Sequence, residues 1–287
     1  MILPIYNAGK DLNQSIRSLN EINYSNFDVI ISDNSSSDNS INILKEIKNK
    51  KFKIYFHDNV LSKTDNWNRA YSYAKNSNYL VSLHAGSKLN KHIFNILDNF
   101  VSEKTSLIYG RNETIDYNND PTTRSVYFYF QYKMNNEIFK KFLLSDSSVT
   151  IIGTTFKSEN FFKVGGWDNR YPINQDTEMW LKLSELGDVK YTPKILGVFK
   201  TDAKNQDSLR NHAYYNLKFY LDKYLENKNS KYEKYPPRSI KYLLPIYIEN
   251  NGQEKDFINI CKKIIDENKY FVPNKVFLNY LKIKSIF

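Results

Sequence analysis

Short apolar runs alternate with helical stripes through the first two-thirds of the sequence, each handed to the next by a polar turn. That rhythm is the strongest limit on what the chain can fold into. Ile2 to Ile5 is apolar, and Leu12, Ile16 and Leu19 follow at i, i+4, i+7. Phe27 to Ser32 reads as a buried strand, closed by the polar turn Asp33 to Ser40; Ile41, Leu44 and Ile47 then mark a second helix. Lys53 to Phe56 is strand-like, and Trp67, Ala70, Tyr71 and Ala74 line a third helix with Thr64 or Asp65 as its cap. Tyr79 to Leu83 is a strand, Ile93, Ile96, Leu97 and Phe100 a helix, and Leu107 to Tyr109 a strand. Strict alternation implies right-handed crossovers and a mainly parallel sheet flanked by helices. Such sheets bind ligands beyond the carboxyl ends of their strands, so the turn after Ser32 and the segment after Leu83 are the places for a site.

Composition excludes several classes. With 287 residues, 41% hydrophobic, 23 Tyr and 18 Phe, the chain can fill one large core or two modest ones, and wholesale disorder is excluded. Its longest apolar stretches, such as Tyr242 to Ile248, are about a third of a membrane span. A single cysteine, Cys261, excludes a disulfide framework and a cysteine-ligated zinc site, and four scattered His argue against a His-rich metal centre. The opening Met-Ile-Leu-Pro has neither the basic nor the apolar region of a secretory signal, so a cytoplasmic protein is expected. Almost nothing precedes the apolar run at Ile2, which leaves room for a start upstream of Met1.

Residues Asp116 to Lys141 break the rhythm and read as an irregular insertion. Order returns with Val149 to Phe156, the Gly165-Gly166-Trp167-Asp168 turn and a helix from about Asp176 to Leu186. Beyond Lys200 the segments are helical and basic, broken at Pro236-Pro237 and Gly252, so the chain divides into an α/β domain at 1–202 and a helical extension at 203–287. From Ala203 onward there are 16 basic and 9 acidic residues, which places +7 of the net +10 in the extension. The excess is either a solvated lysine-rich surface or a contact with nucleic acid, an anionic membrane or an anionic substrate. No nucleic-acid motif accompanies the charge, and no nucleic-acid partner is expected. Tyr270 to Phe287 interleaves apolar residues with lysines, as in a basic amphipathic helix that rests on the inner membrane leaflet or packs on the α/β domain.

Four segments carry the chemistry. Pro4-Ile5-Tyr6-Asn7 ends the first strand, and Asp33-Asn34-Ser35-Ser36-Ser37-Asp38 follows the second. Asn66-Trp67-Asn68-Arg69-Ala70 precedes Leu83-His84-Ala85-Gly86-Ser87, and Gly165-Gly166-Trp167-Asp168 precedes Gln175-Asp176-Thr177-Glu178-Met179-Trp180-Leu181-Lys182-Leu183. In this order and at these spacings they resemble the inverting family-2 glycosyltransferases of GT-A fold, from about Met1 to Phe199. The resemblance implies a Rossmann-like, mainly parallel sheet, a nucleotide-sugar donor (UDP-linked) and a surface-glycan or lipid-linked acceptor. It places Pro4, Tyr6, Asn7, Asp33 and Asn34 at the base and ribose, and lines the rest of the donor site with Asn68, Arg69, His84, Ala85 and Gly86. A carboxylate or amide at a strand end suits a pyrimidine edge; equally, Asp33, Asn34 and Asp38 suit capping of the next helix. Trp67, Met179, Trp180 and Leu183 read as core.

Asp176 matches the family's catalytic base, which takes the acceptor hydroxyl proton as oxygen attacks the anomeric carbon. A helix start favours its ionised form, and a plain N-cap is the other reading. The tight turn at Gly165-Gly166 sets Trp167 and Asp168 by the acceptor, with an aromatic face at Trp167 as a sugar-stacking surface, and Glu178, two residues beyond Asp176, has either an acceptor or a structural role.

Two departures stand out. Relatives of this subtype read L-H-x-D-D where this chain has Leu83-His84-Ala85-Gly86-Ser87, and the acidic pair holds Mg²⁺ or Mn²⁺ on the diphosphate. The family's R-x-H pattern is replaced by Lys200-Thr201-Asp202. No residue is therefore assigned to a metal. Three readings follow: a metal-independent enzyme using cations such as Lys63, Lys88, His92 or Arg124, a metal held by His84 and water, or a non-catalytic GT-A domain that binds nucleotide or glycan or acts as a scaffold. Survival of Asp176 and of the nucleotide turn favours the enzyme.

Overall fold

The opening apolar run forms β1 (Ile2–Ile5), paired in parallel with β2 (Val29–Asp33), which pairs in parallel with β3 (Phe52–Phe56). Every residue of β1 and β2 is buried, which is why both read as continuous apolar runs rather than alternating ones. The structure, a computed structural model, describes residues 1–116, 118, 120, 135–145, 149–201 and 206–268. It divides into two compact units, the second starting at Gln206 and taking in Leu144 and Ser145.

In the first unit, the crossovers are α1 (Asp11–Asn20), α2 (Ser40–Lys45) and α3 (Lys63–Ser72). α1 buries Leu12, Ile16 and Leu19, the stripe expected of it. The cap of α3 is Ser62, not Thr64 or Asp65: its Oγ accepts from Asp65 N at 3.1 Å, while Thr64 turns inward. The second sheet has the order β4-β7-β6-β8-β5, from β4 (Tyr79–Val81), β7 (Thr155–Lys157), β6 (Thr105–Ile115), β8 (Asp188–Lys200) and β5 (Lys88–Leu89). Its β6–β8 pair is parallel and the other three pairs are antiparallel, so parallel pairing dominates only the first sheet. A parallel bridge between Ile2 and Ser82 joins the two. The remaining helices are α4 (Ile93–Leu97), α5 (Asn136–Leu143), α6 (Ser158–Lys163) and α7 (Gln175–Leu183). α5 lies inside the stretch expected to be irregular: Phe139 and Leu143 are fully buried, giving it an apolar stripe that the surrounding polar residues mask in the sequence. Arg124 lies outside the described residues.

One hydrophobic core runs from β1 and β2 through α3 and β6 to α7. Trp180 is its largest fully buried side chain; its ring lies 5.5 Å from that of Phe156, and its Nε1 donates to Val149 O at 3.1 Å.

The second unit comprises α8 (Gln206–Glu226), α9 (Pro236–Glu249) and α10 (Lys255–Glu267), with Leu217, Phe219, Ile240 and Cys261 fully buried. Pro236 and Pro237 start α9 rather than break a helix, because N–H groups at the first helical positions have no intrahelical hydrogen bond to lose. Among the described residues no helix is long and apolar enough to cross a membrane. The expected amphipathic stretch at Tyr270 to Phe287 lies outside them.

Trp180→Ala is expected to cost about 3–5 kcal/mol through the cavity it leaves. The urea midpoint should fall while the denaturant slope is unchanged.

Candidate active site

β1 and β2 end at the same level, and the chain leaves both through short polar residues. Asn7 turns at a φ of 48°, with its N–H donated to Ser36 Oγ at 2.9 Å and its Oδ1 accepting from Ser37 N at 2.8 Å. Pro4 is buried at the strand end and Tyr6 stands exposed beside it. Asp33, at the end of β2, is 1% exposed; its Oδ2 accepts from Ser36 N at 3.0 Å, and its buried Oδ1 has no hydrogen-bond partner. An unpaired buried carboxylate oxygen is costly unless a ligand N–H or O–H meets it. Asp38 accepts from Ser40 N at 2.9 Å in the first turn of α2, but the N-cap residue is Asn39, whose side chain makes no cap hydrogen bond.

Asn34 is fully used by the protein. Its amide donates to Leu61 O and accepts from Leu61 N, both at 2.9 Å, and its Oδ1 also accepts from Arg69 at 2.8 Å. Arg69 donates in addition to Asn66 Oδ1 at 3.0 Å. His57, hydrogen-bonded to Ser32 Oγ at 3.1 Å, was not legible as a neighbour of this cluster; burial and the Arg69 charge hold its pKa below the usual value. Asn68 is likewise turned away from a donor: it grips Trp167, accepting from its N–H at 2.8 Å and donating to its carbonyl at 2.9 Å. Gly166 permits that approach, since a Cβ there would meet Asn68 Oδ1 at 2.6 Å and its φ is 76°.

The start of α3 ties the second half of the site to the first. Thr64 Oγ1 donates to Gln175 Oε1 at 2.9 Å, and Asn169 Nδ2 donates to Asp65 Oδ1 at 2.6 Å. Gln175 is thus held by a buried hydroxyl. Asp176 is the second residue of α7, not its N-cap, and its Oδ1 accepts from Thr177 N at 2.8 Å. Burial raises its carboxyl to about 6, with the Lys63 ammonium pulling the other way. Lys63 lies 5.3 Å above the Trp67 ring, and His84 meets the same ring edge-on at 4.8 Å. Burial, then Lys63, pushes His84 down to about 3, so its imidazole is neutral, and its buried Nε2 has no hydrogen-bond partner. Asp176, Lys63, Trp67 and His84 form one group.

The acceptor residues lie differently from the expectation. Trp167 is 3% exposed, its ring packed against those of Trp67, Tyr71, Phe161 and Trp180, so it presents no face for sugar stacking. Asp168 pairs with Arg170 at 2.8 Å and Lys182 at 3.5 Å, and Arg170 holds its carboxyl down at about 2. Glu178 is buried with its Oε1 3.3 Å from Lys182 Nζ.

The segment after β4 does not fit Mg²⁺ or Mn²⁺. Ala85 and Gly86 offer no ligand side chain. Ser87 is fully buried, and its Oγ accepts from Lys200 N at 3.2 Å. α1 grips the loop, Gln14 donating to Gly86 O at 2.6 Å and Ser15 Oγ accepting from Gly86 N at 3.0 Å. The nearby carboxylate, Asp11, pairs with Lys200 Nζ at 3.0 Å. Among the described residues no group of three or more His, Cys, Asp or Glu could hold a metal ion.

Over residues 1–157 the sequence matches the model for glycosyl transferase family 2. The chain belongs to that family. Solved structures similar to this family-2 chain include TarS residues 1–349 of S. aureus, 12% identical with a TM-score of 0.59, spanning 93% of this chain and 87% of that one. The same TarS fragment in complex with UDP-GlcNAc is similar at 12% identity and a TM-score of 0.59, over 93% of this chain and 88% of that one. The mannosyltransferase PcManGT of Pyrobaculum calidifontis, in complex with GDP-Man and Mn²⁺, is 11% identical with a TM-score of 0.61, over 99% and 79%. These likenesses establish the glycosyltransferase GT-A fold. Among curated proteins no relative matches the chain.

Asn34→Ala strands Leu61 and Arg69 without their buried partner and should cost about 1–3 kcal/mol, read by urea denaturation. Asn34→Asp, which keeps the acceptor for Arg69 and Leu61 N but loses the donor to Leu61 O, is expected to fall between the two.

Proposed function

We propose that the chain transfers a sugar, with inversion, from a nucleotide sugar to a surface-glycan acceptor, using no protein-held divalent metal. Support for a UDP-linked donor comes from the TarS structure with UDP-GlcNAc, although the mannosyltransferase binds GDP-Man. In this reading the nucleoside rests across the ends of β1 and β2, beside Tyr6 and Asn7, and the free Asp33 Oδ1 accepts from the base or ribose. Asn34, Asn68 and Arg69 shape that pocket from behind. Asp176 removes the acceptor hydroxyl proton while the oxygen attacks the anomeric carbon from the face opposite the leaving diphosphate. Asp168 and Glu178, braced on Lys182, wall the acceptor side, with Trp167 as their support. A lipid-linked acceptor would bring the chain to the inner membrane face, where the basic extension meets anionic lipid.

The observation that carries this reading is Asp176 itself: a half-buried carboxyl raised to about 6 by desolvation, with the Lys63 charge acting on it and on the neutral His84, is tuned as a base for neutral pH. The second reading, a non-catalytic binder, is favoured by the missing carboxylates at Gly86 and Ser87; detectable turnover by the wild-type protein refutes it.

Product formation from UDP-sugars and GDP-mannose with a glycan acceptor tests the proposal. Asp176→Asn should lower turnover by about 10²–10⁴-fold, and unchanged turnover would sink the base assignment. The wild-type rate should fall about tenfold per pH unit below about 6, where the base is protonated. Stability runs oppositely. The folded-state pKa lies above the ordinary 3.8, so the folded chain holds the extra proton between those values and loses stability as pH rises through them. Asp176→Asn removes that cost and should stabilise by about 1–3 kcal/mol at pH 8, with the gain vanishing by about pH 4. A plain capping carboxylate would show neither effect.

A further inference from the structure

The tail end of β8 crosses the loop where relatives carry their acidic pair. If Gly86 had a Cβ, Lys200 Cδ would lie 3.2 Å from it and the Asp11 Cβ 3.4 Å. A side chain at 86 would crowd the lysine stem, and the 84° φ of Gly86 makes any replacement strained. The Lys200 side chain is 12% exposed and anchored at both ends, by its backbone N–H on Ser87 Oγ and by its ammonium on Asp11 Oδ1. Asp11, in the first turn of α1, is 43% exposed, so the ammonium is reached from solvent past a partner that holds it weakly.

We propose that the Lys200 ammonium receives the diphosphate of the donor, in place of the divalent metal, and that Asp11 is the resident anion the diphosphate displaces. This rests on the donor reading given above. The bond between the anomeric carbon and the diphosphate oxygen breaks with its electron pair going to that oxygen. The acceptor oxygen forms the new bond and its proton goes to Asp176. Lys200 transfers no proton; it stays an ammonium and neutralises charge on the leaving group. Being fixed before the donor arrives, it loses little side-chain freedom on binding.

Calorimetric titration in EDTA of UDP, UMP, GDP and GMP tests this, with wild-type protein, Lys200→Met and Asp11→Asn. Wild-type protein should bind the diphosphate of its preferred base about tenfold more tightly than the monophosphate. Lys200→Met should abolish that preference and leave monophosphate affinity unchanged. Asp11→Asn should tighten diphosphate binding several-fold by freeing the ammonium, about the reverse of the lysine loss. Added Mn²⁺ should leave the wild-type preference as it was. A preference that survives Lys200→Met, or that appears only with Mn²⁺, overturns the role of Lys200. So does a wild-type protein that binds both nucleotides equally, while the donor site itself stands. If no nucleotide binds, the donor reading falls and this inference with it. Should Lys200→Met fail to fold, Asp11→Asn decides alone: unchanged or weaker diphosphate binding overturns the proposal.

Discussion

The site depends on one constraint: backbone groups where the strands of the first sheet end lose their ladder partners and are paired by side chains instead. Where strands end, their ladders end too, and buried N–H and C=O groups then need side-chain partners. Short polar side chains supply them here. Asn7 holds the turn after β2, Asn34 holds Leu61 before α3, and Asn68 holds Trp167 before α7. Each bridges segments distant in sequence, so the loops are fixed relative to one another. In this protein the asparagines that look like ligand contacts are largely the frame, and the groups left over are the ones with chemistry to offer: Asp33 Oδ1, His84 Nε2 and the Asp176 carboxyl.

Charge in that frame is arranged around Lys63. It sits over Trp67, close enough to act on both His84 and Asp176. Its effect is opposite on the two: it helps keep the imidazole neutral and partly offsets the burial that protonates the carboxyl. The helix that carries Lys63 also holds Gln175 through Thr64, so the cation and the base are set by the same turn. The two helix starts are thereby tied by a hydrogen bond between neighbouring residues rather than by a loop.

The fold was legible where periodicity is strong. β1, β2 and α1 follow directly from apolar runs and an i, i+4, i+7 stripe, and the order of motifs placed Asp33 and Asp176 correctly at a strand end and a helix start. What the sequence hides is which side chain serves the backbone. Asn34 and Asn68 carry the same donor and acceptor whether they face a nucleotide or a peptide group, and only the partner's position decides. Trp167 misleads for a related reason: an aromatic after a glycine pair suits a surface platform, but five other rings nearby bury it. The antiparallel strands of the second sheet escaped notice because β4, β5 and β7 are two or three residues long, too short for any period. Lys200 and Asp11 are 189 residues apart, and no local pattern links them.

The charges explain why two departures from the family belong together. A dication between two carboxylates is electrically neutral before the donor arrives. A lysine beside one aspartate is neutral as well, so replacing the first set by the second keeps the empty site balanced. Intermediate states are worse. The acidic pair without its metal would put two negative charges against a diphosphate, and a lysine added beside a bound dication would repel it. A side chain at 86 would also crowd the lysine stem. Under the proposed role of Lys200, one cation type stands in for the other, and the lysine is held at both ends by Ser87 and Asp11.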